Sequence, residues 1–177
     1  MRKEARAPAT AQSELERCVL NKMTGNDHPK QNTTPTLREK ALDYLSRREH
    51  SRLELKKKLL AKDFPESDIN TVLQQLTAEN LQSDERFAES YVRSRKLAGF
   101  GPKRIEIELR ERGVEAELIV ASIDSRSSDW HDQMIAVWQR KFAGSAKNQQ
   151  QQFRFLFYRG YTSEAILKLN LLREGYE

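Results

Sequence analysis

Arginine and lysine crowd two places in this chain. The first holds Arg47, Arg48, Arg52, Lys56, Lys57 and Lys58, with His50 among them, and the second holds Arg93, Arg95, Lys96, Lys103 and Arg104. Arg154 and Arg159 form a sparser third set. Guanidinium and ammonium groups placed this way bind the phosphate or carboxylate face of a macromolecule. They turn nothing over by themselves, and the groups that would are not assembled. His28, His50 and His131 stand far apart with no metal-ligand neighbour at helical spacing, and no Gly-rich phosphate loop occurs. The carboxylates lie among lysines and arginines at the spacings of solvated helix faces. No catalytic residue, metal or cofactor is therefore expected, and the chain is not read as an enzyme.

The elements that must position these cations come in a repeat. Leu55, Leu59, Phe64, Ile69 and Leu73 recur fifty residues later as Ile105, Leu109, Val114, Ile119 and Ile123. A looser copy follows at an offset of forty-seven, where Leu156, Tyr161 and Ile166 stand for Leu109, Val114 and Ile119. At the centre of each copy lies a break: Lys62-Asp63-Phe64, Arg112-Gly113-Val114 and Arg159-Gly160-Tyr161. Its middle residue falls where a helix end wants a left-handed backbone. Its last residue sits five positions before an Ile, the spacing of a hydrophobic staple.

Helix-start signals complete the pattern. Thr36…Glu39 and Ser51…Glu54 have capping-box spacing, Ser83-Asp84-Glu85 is good cap chemistry, Pro102 suits a first helical position, and Asn148 precedes a Gln run that opens a helix. The spacing predicts an all-α chain, an elongated right- or left-curved array of three tandem three-helix repeats over 37–83, 84–126 and 127–177. Residues 1–36 are polar and breaker-rich and read as a loose N-terminal tail, with a short helix over 10–23 and an alternative start at Met23. Repeats of this length bury their apolar faces only against neighbours and serve binding along a surface.

Composition agrees. Apolar residues make up 37% and charged residues 32%, with 31 basic against 26 acidic side chains for a net charge of +5. That mild excess favours an anionic partner but not a chain that lives by coating free nucleic acid. Cys18 stands alone, so no internal disulfide forms, and no apolar run approaches a membrane span. A cytoplasmic monomer with no membrane contact is the expectation. Phe64, Phe87, Tyr91, Trp138, Phe155 and Phe157 fall on core positions. Phe153 or Tyr158 must then point outward, and Phe100, between two glycines, is the best candidate for an exposed loop aromatic or equally a staple for the adjacent helix.

Four segments resemble the RecX family, regulators of the RecA recombinase: Arg48-Glu49-His50-Ser51 with Glu54, Leu55 and Leu59; Asp84 to Arg95; Gly99 to Val114; and Arg154 to Ile166. The run Gly99-Phe100-Gly101-Pro102, followed by Arg104-Ile105, Glu108-Leu109 and Gly113, is the most specific part. The resemblance covers roughly 37–173. It implies a non-enzymatic, cofactor-free protein of three-helix repeats that lodges in the groove of the RecA–DNA filament. Such a protein restrains ATP hydrolysis, strand exchange and co-protease activity in recombination, DNA repair and the SOS response. On that implication the filament contacts are Arg47, Arg48, Arg52, Arg95, Lys103, Arg104 and Arg159, with single- or double-stranded DNA as a further contact. The rival reading is a direct nucleic-acid-binding helical module, with Lys56 to Lys58 and Lys103-Arg104 on phosphates.

Overall fold

A computed structural model describes residues 35–124, 128–143 and 148–174. The expected tail and its short helix lie outside them. The described residues form helices α1 (Leu37–Arg47), α2 (Arg52–Leu60), α3 (Glu66–Ala78), α4 (Asp84–Leu97), α5 (Pro102–Glu111), α6 (Ala116–Ser122), α7 (Asp129–Phe142), α8 (Gln149–Tyr158) and α9 (Ser163–Glu174), and no strand.

The starts follow the local chemistry. Thr36 closes a full capping box: its Oγ1 accepts from the Glu39 N–H at 3.3 Å while Glu39 Oε2 accepts from the Thr36 N–H at 2.8 Å. Ser51, Ser83 and Asn148 accept from the N–H groups of Glu54, Arg86 and Gln151. At Ser51 the expected box stays half open, because Glu54 turns its carboxylate to Arg48 and His50 instead. Asp63, Gly113 and Gly160 take φ of +61°, +74° and +91°, as their place at a helix end requires.

Each helix triplet closes over its own core. Ala41, Leu55, Leu59, Ile69, Leu73 and Leu76 fill the first; Phe87, Ile105, Leu109, Val114 and Ile119 dominate the second; Met134, Val137, Leu156, Tyr161 and Ile166 dominate the third. A fully buried Leu contributes roughly 2 kcal/mol, so cores this small depend on the contacts between triplets. Trp130 of α7 drops into the second core rather than the third, and its indole N–H donates to the Asp124 carbonyl at 2.7 Å.

The two junctions repeat one device. The start of a middle helix rests on the next triplet's Arg-Gly turn. At the first, Ser51 Oγ donates to the Arg112 carbonyl at 2.8 Å, and Leu53 lies against Gly113. At the second, the Gly101 N–H donates to the Arg159 carbonyl at 2.7 Å and the Lys103 N–H to the Gly160 carbonyl at 3.1 Å. A Cβ on Gly101 would sit 2.5 Å from the Gly160 carbonyl, so the two backbones touch only because glycine stands there.

Candidate functional site

The seven cations expected to face a partner divide by what holds them. Arg47 and Lys103 reach solvent. Their side chains are 69% and 66% exposed and pair only with carboxylates on their own helices, Asp43 at 3.0 Å and Glu106 at 3.5 Å. Exposed pairs of this kind are worth about 0.2–1 kcal/mol and leave the cation available to a partner. Arg48 is half-exposed and bridges Glu54 and the Glu49 carbonyl. Arg52 gives its backbone N–H to Asp84 Oδ1 at 2.7 Å and its guanidinium to Thr77 Oγ1 at 3.5 Å, tying α2 to the ends of α3 and α4.

Arg95 and Arg159 do different work. They flank the Phe100 ring, their guanidinium carbons 3.7 Å and 5.3 Å from its centroid. Arg159 also covers Phe155 at 4.7 Å and donates to the Ala98 and Gly99 carbonyls, both at 3.1 Å. It therefore fastens the third triplet to the α4–α5 loop, with each cation–π contact worth about 0.5–2 kcal/mol. Phe100 is accordingly held between two arginines against the second core and does not project as an exposed loop aromatic.

The hub of this region is Glu108, which sequence reasoning read as one more solvated carboxylate. Its side chain is 8% exposed. Tyr91 Oη donates to its Oε2 at 2.8 Å, Arg95 Nε to the same oxygen at 2.7 Å, and Arg104 Nε to Oε1 at 2.9 Å. The signal was present: Ile105, Glu108 and Leu109 share the buried face of α5, so a carboxylate occupied a core position. Arg112, also missed, lies over the Tyr91 ring at 4.6 Å and lines with Arg48 and Tyr91 a cavity of about 260 Å³. Arginines from α1–α2, the α5–α6 turn and α4–α5 thus adjoin one another around Tyr91 and Glu108.

Titration follows from this packing. Burial pushes the Glu108 carboxyl up, but the hydrogen bonds from Arg95, Arg104 and Tyr91 outweigh it and hold the group below its ordinary 4.5. Glu54 is balanced the same way by Arg48 and His50. His50, 2% exposed, has Nδ1 2.9 Å from Glu54 Oε2; burial drives its value below 6.5 although Glu54 opposes the shift. Burial also pushes the Tyr161 hydroxyl up to about 12.

All three lowered groups bind a proton more readily in the unfolded chain, so stability falls with acid. His50 begins the loss below about pH 6.5, and the two carboxylates add to it below about 4.5 and through their folded values. A melting-temperature series from pH 7 to pH 4 is expected to decline monotonically, with the lower limb flattened in Glu108→Gln. A flat or rising series would contradict these assignments.

Among the described residues no His, Cys, Asp and Glu group could hold a metal ion, and no helix is long and apolar enough to cross a membrane. The matches to known proteins are specific. Residues 38–76 match the family model for the RecX first three-helix domain, and residues 83–122 match that for the second. The regulatory protein RecX of Pseudomonas fluorescens is 42% identical over 141 residues, covering 77% of this chain and 91% of the relative. That of Pseudomonas entomophila is 41% identical over 149 residues, covering 82% and 96%. The crystal structure of RecX from Lactobacillus salivarius superposes with a TM-score of 0.65 at 22% identity, over 76% of this chain and 92% of that one, which shows the shared fold.

Proposed function

The chain belongs to the RecX family, and from that membership we propose that it is a non-enzymatic regulator that binds the RecA–DNA filament and inhibits RecA. ATP hydrolysis, strand exchange and co-protease activity are the activities it restrains, which places it in the control of recombination and DNA repair. The observation carrying this reading is the sequence identity to proteins named as regulators, running through both matched three-helix domains.

The geometry supports a binding role. Arg47 and Lys103 stand in solvent at two successive junctions, with Arg48 and Arg104 half-exposed beside them. Each contact with an anionic face is weak, so several must act together and the complex must weaken with salt. Arg95, Arg159 and Arg52 position these junctions rather than contact the partner. The site is therefore narrower than the seven cations.

The test is single-stranded-DNA-dependent ATP hydrolysis by RecA of the same organism, with this protein titrated well below the RecA concentration and DNA in excess. Inhibition at such low ratios is expected, because blocking one place on a filament affects many protomers. Inhibition that appears only when the protein saturates the DNA would instead support direct competition for nucleic acid.

A further inference from the structure

Between α5 and the α8–α9 turn a groove of about 450 Å³ opens at the second junction. Ile107, Phe157 and Tyr158 line it although they are 52%, 51% and 72% exposed, and Phe157 thus departs from the core position its spacing predicted. Lys103 and Arg104 also line it, paired with Glu106 at 3.5 Å and Glu108 at 2.9 Å on their own helix, and no carboxylate is among the lining residues. Thr162, which caps α9 by accepting from the Ala165 N–H, turns that helix's N-terminal end toward the same opening.

The first junction shows that the fold does not require this apolar surface. Fifty residues before Ile107 the chain has Lys57, and forty-seven before Phe157 and Tyr158 it has Arg110 and Glu111. All three are exposed. The same architecture is thus built once with a charged, solvated groove and once with three large apolar side chains left to water. Clustered exposed apolar side chains beside cations mark a contact surface.

We infer that this groove docks a short acidic segment of a partner protein that carries one aromatic or large aliphatic anchor. The anchor enters between Ile107 and the Phe157–Tyr158 pair, and carboxylates on either side meet Lys103, Arg104 and the start of α9. Single-stranded nucleic acid fits less well. Two cations do not track a backbone over several phosphates. Phe153 already stacks on Phe157, centroids 6.0 Å apart and planes 14° from parallel. This inference goes beyond the filament reading and does not depend on it.

The experiment selects short random peptides displayed on phage against the full chain, and in parallel against the triple variant Ile107→Lys, Phe157→Arg, Tyr158→Glu. Those substitutions restore what the first junction carries, so the variant is expected to keep the wild-type circular dichroism. The expected result is enrichment of peptides with an aromatic or aliphatic anchor flanked by Asp or Glu. A synthetic copy of the enriched sequence should bind the variant roughly tenfold or more weakly. The inference fails if the full chain enriches nothing, or enriches neutral or basic peptides, or if the variant binds equally well. It also fails if the groove residues instead govern binding of an oligo-dT probe, or if they govern self-association measured by sedimentation.

Discussion

Gly160→Val is expected to cost about 4 kcal/mol or more and to detach the third helix triplet from the second. Three effects combine. The backbone at Gly160 has φ of +91°, which for a β-branched residue is strained by about 1–3 kcal/mol. A Cβ there would sit on the Arg104 backbone nitrogen and Cβ, so neither a rotamer change nor a side-chain shift relieves the contact. Separation then breaks the bonds from the Gly101 and Lys103 N–H groups to the Arg159 and Gly160 carbonyls, together with the Arg159 contacts to Phe100, Ala98 and Gly99. Because stability in a repeat array is a sum of unit and interface terms, losing one interface should split unfolding into two steps. Urea titration followed by circular dichroism tests this. A single transition at the wild-type midpoint would show the junction to be dispensable.

Asp63→Gly supplies the contrast at the equivalent turn of the first triplet. Asp63 holds φ of +61° and is exposed, and among the described residues no triplet precedes its own to rest on it. Relief of the left-handed strain and the added flexibility of glycine oppose each other at about 1 kcal/mol each, so a small net effect is expected. The difference between Asp63 and the two glycines explains a detail legible in the sequence but not interpretable there. The turn needs a residue tolerant of left-handed backbone in all three units. It needs the absence of a side chain only where another triplet lands on it.

Much of the fold was legible because its signals are local. Thr36 and Glu39 lie three residues apart, Phe64 and Ile69 five, and the apolar stripes recur at helical spacing within single helices. The partition of the arginines was not legible, because what holds them is distant in sequence. Arg159 meets carbonyls sixty residues away, and Arg95 reaches Glu108 across a loop. A charge count at repeated junctions gives the same weight to a guanidinium in solvent and to one clamped over Phe100. The aromatics were misjudged for a related reason. Phe100 between two glycines reads as a loop aromatic, and Phe157 falls at a helical core spacing. The facing triplet decides both, burying one and leaving the other half in water.

Reversing only the solvated cations is the sharpest functional test. Arg47 and Lys103 qualify by exposure, and Lys57 and Arg93 are exposed with no carboxylate partner among the described residues. The quadruple variant Arg47→Glu, Lys57→Glu, Arg93→Glu, Lys103→Glu changes the formal net charge from +5 to −3, since each reversal subtracts two. Folding should survive, because the pairs it breaks are exposed and worth about 0.2–1 kcal/mol each. Binding should not, because attraction at four points becomes repulsion. At about 1.4 kcal/mol per decade, the concentration for half-maximal inhibition of RecA ATP hydrolysis should rise roughly tenfold to a hundredfold. Added salt should weaken the wild type and narrow the gap between the two proteins. Arg95→Glu and Arg159→Glu do not test this point, since each would leave Phe100 and Glu108 or the α4–α5 loop without its clamp and lose activity through the fold. A quadruple variant that melts like the wild type and inhibits like it would remove these cations from the binding surface.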